Sequence, residues 1–250
     1  MNRTLHSKTL GELVITAVMP SIRNIVFTVK DQTGKKYIYK KFGKPVLLQD
    51  KLVDELGFLD VGVNVVKRTP KEVQQLRQKI EVAGIYTPKI IEVGDDYTIE
   101  EFVEGVQLAQ ISSSDFERVS KTTIEQVATL HENGIVLGDR WIESQIYTEA
   151  GEVYFIDFDL AYVGEDQESL EMAELINALT FERTFEEIVF VAETFNNVEH
   201  THHDLYDLEL IVDVLKKHIT YWSDPQNVLG SLIDVLHQKN ILQEEDVLQK

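Results

Sequence analysis

A chain of 250 residues, 43% of them hydrophobic and 27% charged, has the balance of a folded globular protein and the length for one large domain or two lobes around a cleft. The lack of cysteine excludes disulfides, thiolate zinc sites and cysteine nucleophiles, and no apolar run approaches the roughly 18 residues that span a bilayer. A formal net charge of −19 argues against a broad nucleic-acid-binding surface, which needs Lys and Arg to displace counterions from phosphates.

The N-terminal stretch lacks the apolar core of a secretory signal, so a cytoplasmic location is the default expectation. Lys30, Lys35, Lys36, Lys40, Lys41 and Lys44 crowd one region and read chiefly as a solvated basic edge, whereas residues 165–199 are acidic. Residues 25–30 and 35–42 are β-rich runs joined by Asp31-Gln32-Thr33-Gly34, which predicts a hairpin. Residues 43–67 hold apolar residues without a clean period and are expected to form an irregular or partly helical insert.

Thr69-Pro70-Lys71-Glu72 opens a helix, with Thr69 to cap it, Pro70 in its first turn and Glu72 three residues after the cap. Val73, Leu76, Ile80 and Ala83 form its apolar stripe and Gly84 stops it. A second hairpin is expected around Gly94-Asp95-Asp96, from residues 89–93 and 97–103. Residues 114–131 read as the clearest helix, opened by a Ser114/Glu117 capping box, with His131 placed to favour the negative end of the helix. A third hairpin spans residues 145–148 and 152–156. From Leu170 onward the pattern is helical, with Asp224-Pro225 starting a late helix and Trp222 in the core. His200, His202 and His203 read as an exposed lead-in to a helix rather than a metal site. This order suits an α+β fold with a small β-rich lobe and a larger, mostly helical lobe meeting near residue 103.

Chemistry concentrates in residues 130–164. Asp139 ends one short apolar run, Asp157 interrupts another, and a hairpin between them can bring both carboxylates to one cleft. Two such acids suit phosphoryl transfer, one taking a proton from the nucleophile while the other holds Mg²⁺ against the phosphates.

Leu130-His131, Leu137-Gly138-Asp139 and Asp157-Phe158-Asp159 together resemble the catalytic segment of the protein-kinase-like superfamily. The likeness is to small atypical kinases of the lipopolysaccharide-core sugar kinase and KEOPS-kinase type, and more loosely to aminoglycoside phosphotransferases. The resemblance implies a bilobal fold, with an N-lobe over residues 1–103 and a C-lobe over residues 104–250. It implies an ATP- and Mg²⁺-dependent transfer of the γ-phosphoryl group to a hydroxyl of a small molecule, sugar or protein. Asp139 would then orient or deprotonate the acceptor, and Asp157 would bind metal. Lys40 matches the lysine that contacts the nucleotide phosphates, with Lys41 on the opposite strand face as the alternative. Glu72 matches the glutamate that pairs with that lysine, and equally serves the capping box. Residues 101–105 resemble the segment between the lobes, where Glu101 and Val103 would offer backbone groups to adenine.

Four departures qualify the match. Leu137 replaces the family histidine, which has a packing and backbone-positioning role. Ser144 stands where the family has the asparagine that is its second metal ligand, with Gln145 next to it. Asp159 replaces a glycine. Met19-Pro20-Ser21-Ile22-Arg23-Asn24 replaces a glycine-rich loop. These departures motivate the alternative of a pseudokinase, a kinase-shaped nucleotide- or protein-binding regulatory module.

Overall fold

The computed structural model describes residues 3–19, 21, 24–43, 63–141, 143–202 and 205–219. Its first half is a six-stranded antiparallel sheet with one helix. Strands β1 (Thr4–Ser7), β2 (Gly11–Met19), β3 (Asn24–Lys30) and β4 (Lys36–Phe42) run as a meander. After β5 (Asn64–Lys67) and helix α1 (Pro70–Val82), strands β6 (Ile90–Val93) and β7 (Tyr97–Glu101) complete the order β1-β2-β3-β4-β7-β6. Of the insert expected over residues 43–67, the end is strand β5; residues 44–62 lie outside the described residues.

Alternation along β4 decides what faces the cleft. Tyr37 and Tyr39 turn to one side, into a small cluster with Leu13, Val29 and Ile99 in which Tyr39 stacks on Tyr97 at 5.1 Å. Lys40 and Phe42 therefore turn to the other side, and Phe42 joins the main core. The helix after β5 forms as its residues dictate, with both halves of the Thr69/Glu72 capping box present and Pro70 in the first turn.

The second half is mostly helical. Strand β8 (Val106–Gln107) leads into α2 (Ser113–Glu132), which starts from Ser112 with no capping box at Ser114. Three consecutive serines make that boundary degenerate, and the Ser112 hydroxyl is taken up by Ser114 and Asp115. Strands β9 (Gln145–Tyr147) and β10 (Val153–Phe155) form the third hairpin and add to β8 as a three-stranded sheet. Strand β11 (Leu160–Val163) pairs antiparallel with β5, tying the segment after Asp157 to the residues in front of α1.

Helices α3 (Gln167–Thr180), α4 (Phe185–Thr201) and α5 (Leu208–Ile219) complete the described chain. Every residue of α3 from Ser169 to Thr180 is buried, so it forms the axis of this lobe. The arrangement is a bilobal α+β fold, as the resemblance implies.

One expectation about histidines changes. His131 stands in the last turn of α2 as expected, and it is buried there with its Nδ1 3.0 Å from the Tyr206 hydroxyl. His200 and His202 close α4 and do not lead into a helix, and His202 meets the Glu132 carboxylate. No group able to hold a metal through His, Asp or Glu clusters occurs among the described residues. Among the same residues, no helix is long and apolar enough to cross a membrane. The expectations for Pro20, Ile22, Arg23, His203, Trp222 and the Asp224-Pro225 helix lie outside the described residues.

Candidate active site

The Lys40 ammonium reaches across the cleft from β4 and stands 2.6 Å from Asp157 Oδ1, with Asp159 Oδ1 as its second partner. Lys41 points the other way, to Asp96 at 3.3 Å. Burial works to raise the Asp157 carboxyl, but the Lys40 charge overrides it and holds the group below the usual carboxylate range. Asp159 is the more deeply buried of the two and moves upward, through burial and through Asp157 beside it. Burial acts to lower the Lys40 ammonium, yet the two carboxylates raise it overall. Asn24, at the start of β3, donates to Asp159 Oδ2, while its own Oδ1 accepts from Gly43 N–H at 3.2 Å and Lys67 Nζ at 3.1 Å.

Asp139 sits on a loop held from below and from the side. Gly138 has φ +100°, and a Cβ there would overlap the Leu160 carbonyl, so only glycine lets the loop lie against β11. From α3, Glu171 Oε2 accepts from the backbone N–H groups of Leu137 at 2.7 Å and Gly138 at 3.2 Å. One turn along, Glu174 Oε2 accepts from the Tyr162 hydroxyl and from Arg140 N–H at 3.3 Å. Burial first, and then the Asp139 charge, push the Glu174 carboxyl up to about 8. Replacing Gly138 with alanine is expected to cost about 2 kcal/mol through backbone strain, read as a lower urea midpoint with unchanged slope.

Arg68 clamps the same loop from the other lobe. Its guanidinium donates to the carbonyls of Val136 at 3.0 Å, Leu137 at 2.6 Å, Phe158 at 3.1 Å and Leu160, and its own N–H donates to Asp159 O at 2.6 Å. Behind the site, Arg77 pairs with Glu100 at 2.6 Å, and Arg77 and Arg140 lie over the Phe158 ring at 5.0 and 5.4 Å.

The remaining sequence-predicted residues are placed as follows. Glu72 closes its capping box, with Oε2 accepting from Thr69 N–H at 2.7 Å, while Lys40 pairs with the two aspartates. Glu101 ends β7 and donates its N–H to Lys89 O at 2.8 Å; Val103 lies two residues on, in the connection to β8. Lys36 pins that connection through Glu104 at 2.8 Å and the Phe102 ring at 4.8 Å. Ser144 Oγ accepts from Trp141 N–H at 3.3 Å. Gln145 is buried with neither side-chain amide atom hydrogen-bonded. An orphaned buried amide oxygen and an exposed carboxylate at Asp157 are hard donors of the kind that Mg²⁺ takes, so the residues present fit such an ion.

Sequence reasoning passed over Asn24, Arg68, Arg140, Glu171 and Glu174 as site residues. Arg140 stands directly after Asp139 and Arg68 directly before the Thr69 cap, and those positions were the available signals.

No family model matches the chain. The KEOPS complex subunit Bud32 of Pyrococcus abyssi is 30% identical over 167 residues, covering 61% of this chain and 75% of that protein. A probable serine/threonine-protein kinase BUD32 homolog of Archaeoglobus fulgidus is 30% identical over 105 residues, 39% of this chain and 52% of that protein. A probable bifunctional tRNA threonylcarbamoyladenosine biosynthesis protein of Methanosarcina mazei is 26% identical over 181 residues, 72% of this chain; the match spans 32% of that longer protein.

Proposed function

This chain belongs to the Bud32 family of the protein-kinase-like superfamily, and we propose that it is an ATP-dependent phosphotransferase acting on a hydroxyl group. The observation that carries the reading is the convergence of Lys40 on Asp157 and Asp159 beside the loop that bears Asp139. These groups come from separate elements and meet at one cleft, which an unrelated scaffold has no reason to arrange.

In this reading Lys40 would turn from the aspartates to the nucleotide phosphates, and Asp157, with the Gln145 or Ser144 oxygen, would hold Mg²⁺. The ion, when bound, lends positive charge to the phosphate oxygens. Asp139 accepts the hydrogen bond of the acceptor hydroxyl and aims it at the phosphorus. Glu101 and Val103 border the adenine with backbone groups, and Glu72 serves the fold through its capping box. Relatives named for tRNA threonylcarbamoyladenosine biosynthesis and for the KEOPS complex point to a shared assembly; with its charge of −19 this chain would enter it through protein contacts, leaving RNA to another subunit.

The test is ADP formation by the purified chain with ATP and Mg²⁺, alongside nucleotide-induced thermal shifts. Turnover lost in Asp157→Asn and Asp139→Asn, with both variants folded, supports the assignment. A thermal shift with no turnover in any chain would replace it with the pseudokinase reading, and turnover that survives both substitutions would remove these aspartates from the mechanism.

A further inference from the structure

We propose that Arg140 is a positioning residue that sets the geometry of Asp157. Asp157 has φ +60°, a left-handed conformation that costs a non-glycine residue free energy unless its surroundings hold it there. Arg140 supplies that hold. Its Nη2 donates to Asp157 O at 2.7 Å, Nη1 to Ile156 O at 3.1 Å, and Nε to Gly138 O at 3.0 Å. One rigid fork thus spans the two peptide units that flank the left-handed residue and anchors them to the residue preceding Asp139.

Arg140 is fully buried. A buried cation is a poor way to fill space, because desolvation costs as much as its contacts return and an apolar side chain of similar volume does as well. Fixing the direction of the fork is something an apolar side chain cannot do. The sequence adds an independent point. The resemblance expects a polar, backbone-positioning histidine at 137, where this chain has a buried leucine, and the polar group comes from three residues further along.

The proposal rests on the reading of Asp157 as the metal-binding carboxylate, and two readouts keep the two claims apart. The first is backbone hydrogen exchange over residues 156–159 without nucleotide. The second is the Mg²⁺ concentration that half-saturates the thermal shift produced by a non-hydrolysable ATP analogue. Arg140→Leu is expected to speed exchange in that segment alone and to raise the Mg²⁺ midpoint about tenfold, as loss of a partner that orients a metal ligand does. Arg140→Lys, which keeps the charge and stem without the fork, should show the same direction with full folding. The double variant Leu137→His/Arg140→Leu should move both readouts back toward the starting protein. Unchanged exchange in Arg140→Lys, or exchange that rises throughout the chain in both single variants with no recovery in the double, overturns the proposal. If the unaltered chain shows no Mg²⁺ dependence, the metal role of Asp157 fails, and the exchange data alone decide whether Arg140 holds the turn.

Discussion

Arg68→Met is expected to lower the melting temperature by about 10 °C, the largest effect of any single side chain outside the apolar core. The substitution keeps the length of the stem but removes every donor, leaving the carbonyls of Val136, Leu137, Phe158 and Leu160 without the partner that now satisfies them. An unpaired buried carbonyl costs about 1–3 kcal/mol, and four cannot simply be added because the loops relax together. With that relaxation the loss comes to about 3–5 kcal/mol, the cost of roughly two such carbonyls, which at roughly 2–4 °C per kcal/mol for a chain of this size gives the stated shift. Burial lowers the Arg68 guanidinium to about 10, so it remains cationic at neutral pH and keeps all of its donors. Arg68→Lys should recover only part of the loss, since one ammonium cannot reach carbonyls on two loops at once. A shift below about 3 °C for the methionine variant, by calorimetry or far-ultraviolet circular dichroism, would show that the lobes are held by β5 pairing with β11 and not by this clamp.

That clamp also marks the limit of what the residue pattern revealed. That Lys40 and Lys41 lie on opposite strand faces is legible because alternation is a local property, and α1 is legible because Thr69, Pro70 and Glu72 declare a helix start within four residues. The Asp139 and Asp157 segments stood out for the same reason, each being an acid at the end of or inside a short apolar run. Arg68, Arg140, Glu171 and Glu174 act on backbone atoms, and backbone atoms have no signature in a sequence. Arg68 and Leu137 are 69 residues apart, and only the folded chain shows that one serves the other. Strand β5 was hidden by its length of four residues and by a partner, β11, nearly a hundred positions away. The shift of the α2 start to Ser112 is a smaller case: three serines in a row offer three caps, and packing selects among them.

Glu174 gives the clearest pH signature among the described residues. With its folded pKa near about 8 against an ordinary 4.5, the carboxyl keeps a proton in the folded chain that the unfolded chain gives up. The folded state therefore binds more protons between those two values, and stability falls as pH rises through that window. Below pH 4.5 the difference vanishes, and above about 8 the full cost has been incurred. Between pH 6 and 8 the loss amounts to about 2 kcal/mol, because the limiting slope of about 1.36 kcal/mol per unit falls to half at the folded pKa. Glu174→Gln keeps an oxygen to accept from Tyr162 and Arg140 and cannot ionise, so its stability should be flatter over that range and exceed that of the unaltered chain at pH 8. Groups that titrate elsewhere cancel in the comparison: Asp157 is held below the usual carboxylate range and Tyr162 well above the usual phenol range. The consequence reaches the site, because the charge that appears on Glu174 stands against that of Asp139 beneath the same loop. Chemical denaturation of both proteins at pH 6, 7 and 8 is the measurement, and superimposable profiles would mean that Glu174 is already ionised in the folded chain.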